Sequence, residues 1–158
     1  MKLSLSHDIA ADRERVFDAL VDPMVIQRCI PGCESMSATG PDTYDATLKI
    51  GLAGLKGTYT GRTTIANTQR PDALTLGLEG KGGPGFVRGT AAIALTSADG
   101  GTRVACDADV QVGGLIAAVG SRLIEAAARK MAADFFNALE KQILTSEHAE
   151  PAEQAEKS

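Results

Sequence analysis

The chain has 158 residues, 44% of them hydrophobic and 23% charged, a balance that suits one globular domain with one core and no need of metal or disulfide. Its formal charge of −4 is concentrated in residues 146–158, which hold four Glu against one Lys, so the remainder offers no basic stripe to a nucleic-acid backbone. Three cysteines without CxxC spacing, an N-terminus without a signal-like apolar run, and no stretch near the ~20 apolar residues that span a bilayer point to a cytoplasmic protein.

Residues 2–9 alternate loosely and read as a strand. In DRERVFDALVD, Val16, Phe17 and Leu20 mark one helical face, with Asp12 and Glu14 placed where negative charge suits the helix dipole. Pro23 opens a second short helix, PMVIQRC, which Pro31-Gly32 ends. The middle of the chain then alternates with period 2. Tyr44, Ala46, Leu48 and Ile50 share a face, as do Tyr59, Gly61, Thr63 and Ile65. Leu74, Leu76 and Leu78 follow, then Val87, Gly89, Ala91, Ile93 and Leu95, and last Val104, Cys106, Ala108, Val110 and Val112. Short turns at Ala53-Gly54, Asn67–Asp72, GKGGPG and ADGG join these strands into an antiparallel meander.

After Gly113-Gly114 the period becomes helical. Leu115, Val119, Leu123, Ala127, Met131, Phe135 and Leu139 recur every four residues in a segment of good helix formers running to about Leu144. Thirty helical residues would span about 45 Å, enough to cross a small sheet. The acidic xAE pattern from Ser146 has no large apolar side chain and reads as a disordered tail, leaving residues 1–145 as the domain.

A sheet with one apolar face must cover it, and the long striped helix is the element large enough to do so. One cylinder cannot fill a curved trough, so an internal space is expected. Its walls would be Leu48, Ile50, Tyr59, Leu76, Leu78, Val87, Ala91, Val110, Leu123, Met131 and Phe135, with Ile30 over an opening. These side chains could instead pack as a solid core. Small residues on the same faces (Ala46, Gly61, Gly89, Ala91, Ala108, Ala127) favour a cavity for an apolar ligand. Tyr59 is the polar group placed to hydrogen-bond a ligand carbonyl.

Nothing else in the pattern points to chemistry. GKGGPG lacks the Lys-Ser/Thr ending and strand-to-helix setting of a phosphate loop. Cys29, Cys33, Cys106, His7 and His148 are too scattered for a zinc site, and neither His stands near a nucleophile. Asp45, Asp107 and Asp109 have the parity of the water-facing positions, so no catalytic residue and no metal ligand is assigned.

Several segments resemble the family of the carbon monoxide dehydrogenase G-subunit: RCIPGCES, LKIGLAGLKGTYTG, GKGGPGFVRGTA, DGGTRVACDADVQVGGLIAAVGSRLI and ADFFNAL, in the family's order over residues 2–140. The resemblance implies an α+β, START-like helix-grip fold with a hydrophobic cavity. It implies a non-catalytic accessory role beside a molybdenum hydroxylase of the carbon monoxide dehydrogenase kind, peripheral at the inner face of the membrane. It also implies a lipophilic quinone as ligand, with no covalently bound cofactor. Some members carry a longer C-terminal extension suited to the membrane. Here the tail is short and acidic and would be repelled by an anionic leaflet. A START-like enzyme of the cyclase or aromatase type, or an assembly factor with a filled core, stays open as an alternative.

Overall fold

The computed structural model describes the backbone of residues 1–52 and 54–157, and the side chains of these up to Thr145. The elements run β1 (Lys2–Ile9), α1 (Arg13–Leu20), α2 (Pro23–Cys29), β2 (Cys33–Gly40), β3 (Thr43–Ile50), β4 (Gly57–Gln69), β5 (Ala73–Gly82), β6 (Gly85–Ala98), β7 (Gly101–Gly113), a 3-10 turn (Gly114–Val119) and α3 (Ser121–Lys157). One antiparallel sheet holds all seven described strands in the order β1-β7-β6-β5-β4-β3-β2. Strands β2 to β7 form a continuous meander, and β1 closes against β7 after the helix pair has crossed the sheet's end.

The two short helices begin where their caps dictate. The Asp12 carboxylate accepts from the Arg15 amide at 3.0 Å, and that of Asp22 from the Met24 amide at 3.0 Å, with Pro23 in the first turn of α2. Gly32 ends this unit at φ +77°. Its carbonyl accepts from the Lys49 amide at 2.8 Å, and a Cβ there would lie 2.0 Å from the Lys49 carbonyl oxygen. The Pro31-Gly32 turn is therefore pressed flat on β3, which no larger residue permits.

Two elements differ from the sequence expectation. The meander has an additional edge strand, β2, exposed at all but Cys33 and Met36. A strand that buries neither face carries no period-2 signal, so CESMSATG gave none. The long helix does not start at Leu115. Gly120 at φ +97° separates a 3-10 turn from α3, and Leu115, expected in the apolar stripe, is 74% exposed. The helical backbone runs on to Lys157, past the boundary expected at residue 145. The side chains of the acidic segment 146–158 lie outside the described residues.

The core is gathered at one end of the sheet. Ile9, Val16, Phe17, Leu20, Cys29, Leu74, Ile93, Leu95 and Val104 pack there with Phe136, Leu139 and Ile143 from the middle turns of α3. Thr102 is buried among them, its hydroxyl donating to the Ala11 carbonyl at 2.7 Å. The outer face is polar, with Arg62–Asp45 and Arg103–Asp8 as bidentate pairs between neighbouring strands. These guanidinium partners hold both carboxyls below their ordinary range.

This distribution sets different costs along one helix. In urea unfolding, Leu139→Ala, at a fully buried site, should lower stability by about 2–5 kcal/mol. Leu123→Ala, at a position 44% exposed, should change it by no more than about 0.5 kcal/mol.

Candidate ligand-binding site

Cross-strand register arranges the inner face of the sheet in rows, because directly paired residues point the same way. The row nearest the core is Leu3–Ala108–Ala91–Leu76–Ile65. Above it lies Val110–Gly89–Leu78–Thr63–Tyr44, then Val112–Val87–Gly80–Gly61–Ala46, and at the far end Gly82–Tyr59–Leu48. The alternation holds as the sequence predicts on β4, β6 and β7: Arg62, Arg88 and Asp107 are exposed, and their neighbours turn inward.

Burial divides these rows. Ile65, Ala91 and Leu3 are sealed, whereas Leu48, Leu78, Val87, Val110 and Val112 face inward yet stay half-buried. Across from them, Ile124, Ala127, Ala128 and Met131 of α3 are likewise half-buried. The close packing of α3 is with α1, α2, β1 and the 3-10 turn rather than with the middle strands. Small residues widen the gap: Ala46, Gly61 and Gly80 stand side by side, and a Cβ on Gly80 would meet nothing nearer than the Thr60 carbonyl at 4.0 Å. Between α3 and the upper rows, apolar side chains on both walls are therefore only partly covered.

Two open clefts flank α3. One, of about 480 Å³, is lined by Met1, Phe86, Val110, Gln111, Val112, Ala117, Ser121 and Ile124, between β7 and the start of α3. The other, of about 550 Å³, lies between α2 and α3, lined by residues 27–33 with Asp134 and Ala138. Both volumes are in the range of small-molecule sites. Of the residues the sequence singled out, Val110 lines the first cleft and Ile30 the second. Leu48, Ile50, Leu78, Val87 and Met131 stand half-buried on the inner face or α3. Leu76 and Phe135 pack on the margin of the core, Ala91 and Tyr59 are buried, and Leu123 is largely exposed at the rim.

The rim is built by three segments. In the β3–β4 loop, Gly54 at φ +83° comes so close to α3 that a Cβ would lie 3.1 Å from Leu123 and 3.1 Å from Val119. The same loop is tied down by Tyr59, whose hydroxyl donates to the Leu55 carbonyl at 2.6 Å. That hydrogen, expected for a ligand, is spent on the protein; the oxygen keeps only its acceptor capacity. The β5–β6 turn meets the 3-10 turn through the Ile116 amide, which donates to the Pro84 carbonyl at 2.8 Å.

This end has a composition of its own. Residues 51–57, 80–88 and 111–123 contain Lys56, Lys81, Arg88 and Arg122 and no Asp or Glu, in a chain of net charge −4. Leu115, Leu123 and Phe86 are 74%, 44% and 43% exposed there, and the Arg88 guanidinium lies 5.9 Å from the centre of the Phe86 ring. This apolar tip went unread in the sequence because Leu115 and Leu123 fitted the helical stripe; Glu79, opposite Arg88 on β5, is the nearest acid in register. The missing acids in three separated glycine-rich segments were the available signal.

Titratable groups lie elsewhere. Burial pushes the Cys29 thiol up to about 11 and raises Cys33 and Cys106 as well, so the thiols stay protonated at neutral pH. The His7 ring stacks on Phe136 with centroids 5.7 Å apart, at the core end, its Nε2 3.9 Å from a Glu140 oxygen. No group of three or more His, Cys, Asp or Glu among the described residues is arranged to hold a metal ion.

The family model for CoxG, the G-subunit of carbon monoxide dehydrogenase, matches residues 6–144. Among solved structures, a conserved protein from Geobacillus kaustophilus is 33% identical, with 92% of this chain and 97% of that one covered and a TM-score of 0.90. A START superfamily protein from Mycobacterium smegmatis, at 14% identity, covers 91% and 97% with a TM-score of 0.72. A Thermus thermophilus protein, at 15%, covers 92% and 99% with a TM-score of 0.67. None of the curated proteins compared matches the chain. The fold is thus the START-like helix grip, and the chain belongs to the CoxG family of carbon monoxide dehydrogenase.

Proposed function

We propose that this protein is a non-catalytic accessory protein that holds a lipophilic small molecule, a quinone, in the hollow between α3 and the upper rows of the sheet. It serves a molybdenum hydroxylase of the carbon monoxide dehydrogenase kind, and it takes up and delivers its ligand at the membrane surface. The observation that carries this reading is the half-burial of Leu48, Leu78, Val87, Val110 and Met131. They face inward and are apolar, yet lie above a core that is already sealed without them. Leaving such surface wet forfeits about 25 cal/mol for every Å² that a ligand could cover. The family supports an accessory role, and the protonated thiols and the His7 placed at the core end favour holding over turnover.

The apolar, cationic rim supports the membrane part. Among the described residues no helix is long and apolar enough to cross a bilayer. Leu115, Phe86 and Leu123 can enter the headgroup region while Lys56, Lys81, Arg88 and Arg122 meet anionic lipid, each worth about 1 kcal/mol. An opening that rests on lipid lets an apolar ligand pass without crossing water.

Filling the hollow tests the first part. Ala46→Phe places a ring between Gly61 and α3, and should weaken binding of a decyl-benzoquinone at least tenfold with the melting temperature unchanged within a few degrees. Unaltered binding would put the ligand elsewhere, and a collapse in stability would mean that the space is already full. Gly89 is unsuited to this experiment, because a Cβ there would lie 2.2 Å from the Asp109 carbonyl oxygen.

Vesicle flotation tests the second part. The protein should float with vesicles rich in phosphatidylglycerol and lose most of that binding in 0.5 M salt or on phosphatidylcholine alone. Leu115→Asp and the Lys56→Glu, Arg122→Glu pair should each reduce it severalfold; equal flotation of wild type and variants would refute the rim as the docking face.

A further inference from the structure

We infer that the cleft between β7 and the start of α3 is a docking site for an extended peptide segment of a partner protein, which adds to the sheet beside Val112 as a short strand. It does not depend on the ligand-holding reading.

Val110 exchanges two hydrogen bonds with Met1: its amide donates to the Met1 carbonyl at 2.9 Å, and its carbonyl accepts from the Met1 amine at 2.7 Å. Along an antiparallel strand, residues that bond to one neighbour alternate with residues that bond to the other. The N–H and C=O of Val112, two residues on, therefore point to the same side as those of Val110. Gln111 and Gly113 serve β6, opposite Arg88 and Phe86. On the β1 side Lys2 stands against Asp109 and Met1 against Val110, and β7 runs on to Gly113 with no described residue beside it. One donor and one acceptor of the sheet are thus left without a partner among the described residues, side by side on one residue.

Val112 itself lines the cleft of about 480 Å³, with Ala117 and Ile124 on the helical side and Gln111 and Ser121 as polar residues. Its side chain has the inward parity of Val110, and Gln111 between them is exposed. Residues directly opposite each other on paired strands turn their side chains the same way. A residue added beside Val112 would therefore turn its side chain toward Ala117 and Ile124, and its two neighbours would turn theirs outward.

Hydrogen bonding selects the occupant. A donor and an acceptor on one residue are matched by one residue of another extended chain, as Met1 matches Val110. A ligand with acceptors alone would leave the Val112 carbonyl unmatched, and an acyl chain would leave both groups so. Charge narrows the choice. Arg88, whose guanidinium lies 3.4 Å from the Gln111 side-chain oxygen, and Arg122, which follows Ser121, are exposed. Neither is ion-paired among the described residues. Residues 111–123 hold no acid, and Asp109 stands 3.9 Å from the Met1 amine. The segment that fits is extended, apolar where it faces Ala117 and Ile124, and acidic where its alternate side chains turn outward.

The test is fluorescence anisotropy of a dye-labelled pentapeptide of alternating valine and glutamate, titrated with the full chain. A second peptide carries lysine in place of glutamate, and a third carries N-methyl groups on its valine amides. The first should bind, the lysine peptide about fivefold more weakly, and the methylated one about tenfold more weakly, because its valine amides cannot donate to the Val112 carbonyl. Ala117→Trp, at an exposed position in the cleft wall, should abolish binding with the melting temperature unchanged. Val112→Pro, which removes the open N–H without touching a bond to β6, should weaken it severalfold. Equal affinity for the methylated peptide would overturn strand addition, and equal affinity for the lysine peptide would overturn the acidic preference. Unaltered binding by Ala117→Trp would put the peptide outside this cleft. If the valine–glutamate peptide failed to bind at millimolar concentration, the site would be refuted.

Discussion

The arrangement depends on a mismatch of shape. A straight helix laid on a curved sheet can be in full contact with it over only part of its length. Here that part is the middle of α3, where Phe136, Leu139 and Ile143 meet β1, β5, β6, β7 and the short helices. Toward the start of α3 the facing side chains are only half-buried. The close approach of Gly54 to Leu123 and Val119 joins the β3–β4 loop to this end of the helix. Sealed and partly covered side chains are thus segregated along one axis.

Most of this was legible in the chain. The period-2 runs placed five strands of the meander and gave the facing of β4, β6 and β7, because a buried face imposes alternation. What stayed hidden was what alternation does not encode. Strand β2 buries neither face, so its residues are free to be Ser, Thr and Ala. The stripe from Leu115 to Leu139 kept its four-residue spacing across the break at Gly120, since an apolar residue exposed at a rim and one buried in a core look alike in sequence. The inward face of Leu48, Leu78 and Val110 was readable, but their half-burial was not. It depends on where α3 lies, a tertiary outcome.

Tyr59 shows how local chemistry redirects a residue's role. Its ring belongs to the inner face, but its hydroxyl is held by the Leu55 carbonyl, which makes it a strut between a wall and the β3–β4 loop. Burial raises its pKa, so the proton that makes this bond is kept across the physiological range.

Segregating the core from the hollow has an evolutionary side. Because Val16, Val104 and Leu139 lie in the sealed core and Ala46, Leu48, Leu78 and Val110 do not, substitutions among the latter are less constrained by stability. A lineage can reshape this lining through single, individually tolerated steps. Divergence in this family should therefore be fastest on the inner face nearest the rim and slowest beneath the short helices, the reverse of the usual gradient from surface to interior.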